Sequence, residues 1–258
     1  MYPVLFRIGD IAISSYMVTM VVAFLVAYIL CKGEFKRRGL SEDLLDLLLV
    51  ANVIGGIVGA KILFLMENVT FGEFIGDPIR YLSSGLTFLG GFLGAVVLIL
   101  AVVWGKKVNF WLAADAMAPA LVIGYAIAKI GCFLVGDDYG IPSNLPWAIS
   151  FPKGAPPTNE MVHPAQIYEM LVAAGIFVFA WKIRKCNKPI GWLTAIVFIL
   201  MGLERFLVEF VRNTTPSFIP GVSLAQLMAS GLIVAGVLKL LQLRMRTKNT
   251  LEFKRKRD

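Results

Sequence analysis

AIAKIGCFLVGDDYG, residues 126–140, followed after a proline-rich segment by VHPAQIYE, residues 162–169, is the stretch on which the reading of this chain turns. A lysine, two adjacent aspartates, the sole histidine and a glutamate lie at the ends of two apolar segments. The chain around them is 58% hydrophobic and only 16% charged. Charge in such surroundings is costly and marks function.

Outward from this stretch the chain is a series of apolar blocks, and the mean hydropathy is +0.76. Blocks at 11–31, 44–66, 86–104, 111–135, 165–183, 190–210 and 222–241 each approach the ~20 residues needed to span a bilayer. The expected fold is an all-α integral membrane protein with seven transmembrane helices. Residues 1–241 form one membrane domain with a proline-rich outer loop at 136–164, and 242–258 form a polybasic cytoplasmic tail. Pro142, Pro146, Pro152, Pro156, Pro157 and Pro164 put half of the twelve prolines into that loop, which excludes a continuous helix there. Gly55 and Gly59, like Gly90 and Gly94, carry the small-xxx-small spacing of closely packed membrane helices. The first block reads as a retained span, because its basic cluster follows the apolar run and no small-residue cleavage site is evident.

Eighteen of the 25 lysines and arginines fall after the first, third, fifth and seventh blocks. The other side holds Arg7, Arg80, Lys153 and Arg212. This asymmetry places the N-terminus outside and the C-terminus in the cytoplasm. A net charge of +8 distributed in this way faces lipid headgroups and argues against a nucleic-acid partner. Cys31, Cys132 and Cys186 read as apolar fillers, with no disulfide framework. No metal-ligand spacing surrounds them, and one histidine is too few for most zinc sites, so neither metal nor cofactor is expected.

Lys61, Lys129 and Arg205 lie inside predicted spans. Lys129 either snorkels outward, pairs with Asp137, Asp138 or Glu204, or binds an anion. Arg205, Glu209 and Arg212, spaced i, i+4 and i+7, share one helix face, where a planar guanidinium suits bidentate phosphate binding. Asp137 and Asp138 end the fourth span as a base, a cation site or a solvated terminus. His163 and Pro164 open the next helix, whose Gln166 and Glu169 share a face at i, i+3. The histidine there is a capping group or a catalyst.

GCFLVGDDYG, HPAQIYE and ERFLVEFVR together resemble the signature regions of the prolipoprotein diacylglyceryl transferases. Ser15-Tyr16, FLGGFLG (88–94) and SLAQL (223–227) extend the resemblance over most of the chain. It implies a seven-span bacterial inner-membrane enzyme with its N-terminus outside. Such an enzyme moves a diacylglyceryl group from phosphatidylglycerol to the lipobox cysteine of a preprolipoprotein, releasing glycerol phosphate. By the same resemblance Asp137, His163 and Arg205 are catalytic, and Lys129, Arg205, Arg212, Tyr16, Gln166, Tyr168 and Glu169 bind the lipid donor. The family has histidine where Leu89 stands, arginine at Lys129, asparagine at Cys132, glutamate at Asp137 and tyrosine at Met201. The missing histidine favours a second expectation, a phospholipid-binding homologue without transfer chemistry. A solute transporter, suggested by the intramembrane charges alone, ranks below both.

Overall fold

The computed structural model of the chain describes residues 1–212 and 221–255; residues 256–258 of the expected basic tail lie outside it. Seven helices of 17 residues or more occupy the seven apolar blocks: α1 (Ser15–Arg37), α2 (Glu42–Asn68), α5 (Phe88–Gly105), α6 (Phe110–Val135), α7 (Ala165–Ile183), α8 (Trp192–Val208) and α9 (Leu224–Arg255). Five of them (α1, α2, α6, α7 and α9) are long and apolar enough to cross a membrane. The chain is therefore a multi-pass membrane protein by its helices. α9 continues without a break beyond the expected span, so the start of the basic tail is helical.

Two small sheets correct the all-α expectation. β1 (Val4–Ile8) and β2 (Ile11–Ser14) form an antiparallel hairpin around Gly9–Asp10, with Gly9 at φ +59°. A glycine at the first turn position is what such two-residue hairpins require. The strand residues are mostly apolar and β2 runs directly into α1, so in the sequence β2 merges with the first block. β3 (Ile149–Phe151) pairs with β4 (Thr158–Val162) inside the proline-rich segment. Two short helices, α3 (Phe71–Gly76) and α4 (Pro78–Ser83), also lie where a loop was expected. Their starts are encoded locally, by a Thr70–Glu73 capping box and by Asp77 accepting from the Arg80 amide ahead of Pro78.

The chain divides into two compact units, Lys32–Ala113 and Met1–Cys31 with Ala114–Asp258. In the first, α2 crosses α5 through Gly55, Gly59, Gly90 and Gly94. A Cβ on Gly55 would stand 2.5 Å from the Gly94 carbonyl oxygen, and the other three glycines are equally closed. Only hydrogen side chains let the backbones approach this far. Lys61 extends from α2 to the Tyr81, Ser84 and Gly85 carbonyls, closing the end of α4. This intramembrane lysine has a structural task.

In the second unit α6, α7 and α8 meet over small residues, among them Ala118, Ala126, Ala173, Ala180 and Val197. Asp115 on α6 is buried and caps α8 from outside that helix. It accepts from the Gly191 amide at 2.8 Å, the Thr194 amide at 2.8 Å and the Thr194 hydroxyl at 2.6 Å. These are orphan donors that a helix start must satisfy. Asp115→Ala is expected to cost about 1–3 kcal/mol by leaving them unmatched, seen as a lower Tm of the detergent-solubilised chain with Asp115→Asn intermediate.

Candidate active site: a buried carboxylate beneath three cations

The site is assembled within the unit formed by Met1–Cys31 and Ala114–Asp258. α6 stops where the Gly136 and Asp137 amides both return to the Cys132 carbonyl. Gly136 and Asp138 then take left-handed φ values of +77° and +60°. Aspartate is one of the few residues besides glycine that enters this region readily. The turn reverses the chain, and residues 140–143 are pinned on both sides. Gly140 donates to the His163 carbonyl at 2.8 Å, and Ile141 donates to the Val211 carbonyl at 2.9 Å. Tyr139 adds an anchor by stacking on Phe151 and donating to the Pro156 carbonyl. The ends of α6 and α8 and the start of α7 are thereby drawn together.

Glu169, on the first turns of α7, is fully buried at the centre. Its Oε2 lies 2.7 Å from Lys129 Nζ and 3.3 Å from Arg212 Nη1, and its Oε1 lies 2.6 Å from Arg205 Nη1. The Tyr125 hydroxyl donates to the same Oε1 at 3.1 Å. A second layer of carboxylates surrounds the cations. Asp138 bridges Lys129 at 3.2 Å and Arg212 at 2.8 Å. Glu209 meets Arg205 at 3.0 Å, and its other oxygen accepts from the Ser223 hydroxyl at 2.7 Å. Ser223 and Gln226 in turn cap each other at the start of α9. Gln166, fully buried one turn before Glu169, donates to the Asp137 carbonyl and fixes the turn above it.

The two adjacent aspartates occupy unlike environments. Burial raises the Asp137 carboxyl above its usual range, against opposing effects of Cys132, Lys129 and Arg212. Burial acts on Asp138 in the same sense, but Lys129 and Arg212 outweigh it and hold that carboxyl below the usual range. Neighbouring carboxyls pushed apart in this way can divide the roles of proton carrier and fixed anion. The Cys132 thiol and the two Asp carboxylates gather within 4.8 Å of one another. Both oxygens of Asp138 already face cations, so this trio is ordered by ion pairing.

Lys129, Arg205, Arg212, Glu169, Gln166 and Asp137, all singled out in the sequence, are thus brought into one place. His163 and Tyr168 form an adjoining group: His163 Nδ1 lies 3.2 Å from the Tyr168 hydroxyl, which accepts from Trp147 Nε1 at 2.7 Å. Tyr16, near the start of α1, is exposed, with its backbone packed against Gly131 of α6. Glu204, an expected partner for Lys129, is buried with neither oxygen hydrogen-bonded among the described residues. Asp138 and Glu169 take its place. Tyr125 was missed. Its signal was the i, i+4 relation to Lys129, whose ammonium sits 5.5 Å from the tyrosine ring centre.

The model of the prolipoprotein diacylglyceryl transferase family matches residues 3–242. The chain belongs to this family. Phosphatidylglycerol–prolipoprotein diacylglyceryl transferase of Vibrio vulnificus (strain CMCP6) is 32% identical over 248 residues, covering 91% of this chain and 89% of the relative. The same-named protein of Aliivibrio salmonicida (strain LFI1238) is 30% identical over 247 residues, with coverages of 92% and 85%. That of Clostridium tetani (strain Massachusetts / E88) is 29% identical over 244 residues, with coverages of 92% and 96%. Membership agrees with the resemblance carried by the three signature stretches. Leu89, at the family's histidine position, is half-buried in the first turn of α5, in the Lys32–Ala113 unit.

Removing the central anion leaves Lys129, Arg205 and Arg212 with only Asp138 and Glu209 as partners, one negative charge short around a buried position. Glu169→Gln is expected to destabilise by about 3–5 kcal/mol, read as a fall in the Tm of the purified chain. Glu169→Asp, which keeps the charge, should fall between the two.

Proposed function

We propose that this chain transfers a diacylglyceryl group from phosphatidylglycerol to the lipobox cysteine of a preprolipoprotein, as the relatives' names describe. The observation that carries the reading is the cation cluster at the end of an apolar groove. Met20, Ala23, Phe24 and Ala27 of α1 and Leu121, Gly124, Tyr125 and Ala128 of α6 line this groove, whose volume is about 210 Å³. Tyr125 belongs to both, with its ring in the groove and its hydroxyl on Glu169. An amphiphile with acyl chains and a phosphate fits that sequence of surfaces.

The reaction forms a sulfur–carbon bond at the glycerol carbon and breaks that carbon's bond to the phosphate oxygen. Glycerol phosphate departs and the thiol proton must be taken up. Lys129, Arg205 and Arg212 would hold the phosphate and balance the charge it gains on leaving. Glu169 and Glu209 would keep those cations in place. Asp137, with its raised carboxyl and its position beside the turn, is the better placed proton acceptor. His163 would shape the pocket wall through Tyr168 and Trp147. All seven long helices would span the bacterial inner membrane as one catalytic domain, N-terminus outside, with the basic end of α9 on anionic cytoplasmic lipids.

Leu89 supports a second reading, a homologue that binds phosphatidylglycerol without turning it over. Complementation of a strain depleted of its own transferase, with mass spectrometry of a reporter lipoprotein, separates the two. The expected result is a reporter heavier by one diacylglyceryl group. An unmodified reporter despite verified membrane insertion would overturn the transferase reading, and lipid retained by that inactive protein would establish the second. Within the active enzyme, Asp137→Asn should lower kcat by about 10²-fold or more and abolish the rise of rate with pH that a raised carboxyl produces. Asp137→Glu should restore most of it.

A further inference from the structure

No cation of the cluster is idle. Lys129 faces Asp138 and Glu169; Arg205 faces Glu169 and Glu209; Arg212 faces Asp138, Glu169 and Glu209. Three cations and three carboxylates leave no net charge to attract an anionic headgroup. An incoming phosphate therefore has to displace a carboxylate, and the three differ in their freedom to leave. The Glu169 and Glu209 side chains are 0% and 4% exposed, whereas that of Asp138 is 44% exposed. Glu169 is also held by Tyr125 and Glu209 by Ser223. Withdrawing either would strand a charge away from water, at a cost Asp138 escapes by turning outward.

Building on the reading of this site as one for an anionic lipid, we propose that Asp138 is a resident stand-in for the phosphate, occupying the subsite between Lys129 and Arg212 until the donor headgroup displaces it. A carboxylate and a phosphodiester each present two oxygens across one central atom, and Asp138 uses both, Oδ2 to Lys129 at 3.2 Å and Oδ1 to Arg212 at 2.8 Å. Asp138 lies beyond the end of α6 and its side chain is 44% exposed, so it can turn outward into solvent. When it leaves, Lys129 keeps Glu169 at 2.7 Å and Arg212 keeps Glu169 at 3.3 Å, so the cluster survives the exchange. Asp138 thus sets a threshold for occupancy. Any incoming anion must compete with a tethered carboxylate at high local concentration, which weakens free phosphate and lipid by the same factor. A lipid brings the additional binding energy of chains in the α1–α6 groove, so it still fills the subsite at concentrations where a small free anion does not.

The test uses the full chain in phosphatidylcholine nanodiscs, with Asp138→Asn and, as a second variant that keeps the left-handed turn, Asp138→Gly. Glycerol phosphate and phosphatidylglycerol are titrated separately. Each variant should bind both probes about tenfold more tightly than the unaltered chain. Tightening of both probes supports displacement, and tightening confined to one of them denies a shared subsite and overturns the proposal. Folded variants that bind both probes unchanged or more weakly overturn it. Binding requires no turnover, so the two readings fail separately. An unaltered chain that transfers nothing while the variants tighten removes the transferase reading alone; normal transfer without tightening removes only the role of Asp138.

Discussion

Burying the Glu169 carboxylate is affordable only because Lys129 reaches it from α6 and Arg205 and Arg212 from the end of α8 and just beyond it. Each of these charges would cost several kcal/mol to withdraw from water alone. Together they form a closed network in which the end of α6, the start of α7 and the end of α8 are interdependent. The turn at 136–138, the strapping of residues 140–143 and the Ser223 contact all serve to keep those segments in register. A fully buried carboxylate with four partners is therefore at the centre of the candidate site.

The helices were legible because an apolar block of about twenty residues is a property of composition, visible without neighbours. Boundaries were less so: β1 and β2 are as apolar as α1, and only Gly9–Asp10 divides them. α3 and α4 were overlooked although the Thr70–Glu73 spacing is a readable helix start. In the site, the i, i+3 spacing gave the shared face of Gln166 and Glu169, whereas the single helix face expected for Arg205, Glu209 and Arg212 does not form. α8 ends at Val208, a 3-10 turn spans Glu209–Val211 and Arg212 is extended, the three meeting instead through ion pairs. For Lys129 the sequence leaves open snorkelling, an anion, or pairing with Asp137, Asp138 or Glu204, and Asp138 is one of the partners found. Glu169, forty residues later, was not foreseen as the other, because the intervening proline-rich segment conceals which helix faces meet. Asp115 stands out in the sequence only as a charge inside the fourth apolar block, and its task is hidden because the amides it caps lie 76 and 79 residues further on.

The family's usual residues and those found here differ in ways that the geometry makes specific. A lysine at position 129 offers a point charge where a guanidinium would offer a fork. In compensation it stands between two carboxylates, which fix the position of its ammonium. A shorter acid at Asp137 follows a turn that Gln166 holds by its backbone carbonyl. Leu89 lies in the other compact unit, and the groups around Glu169 form their network without it.

The direction of α8 also bears on how a reaction there would finish. Its partly positive N-terminal end is met by the Asp115 carboxylate, and its partly negative C-terminal end carries Arg205 and, just beyond, Arg212. The carbonyls at that end temper the field of the guanidiniums that would grip the phosphate. A doubly charged leaving group held by undiluted cations would come away slowly, and product departure limits many enzymes. The helix would thus supply its own moderation of a bound anion: strong enough to seat one, weak enough to let it go.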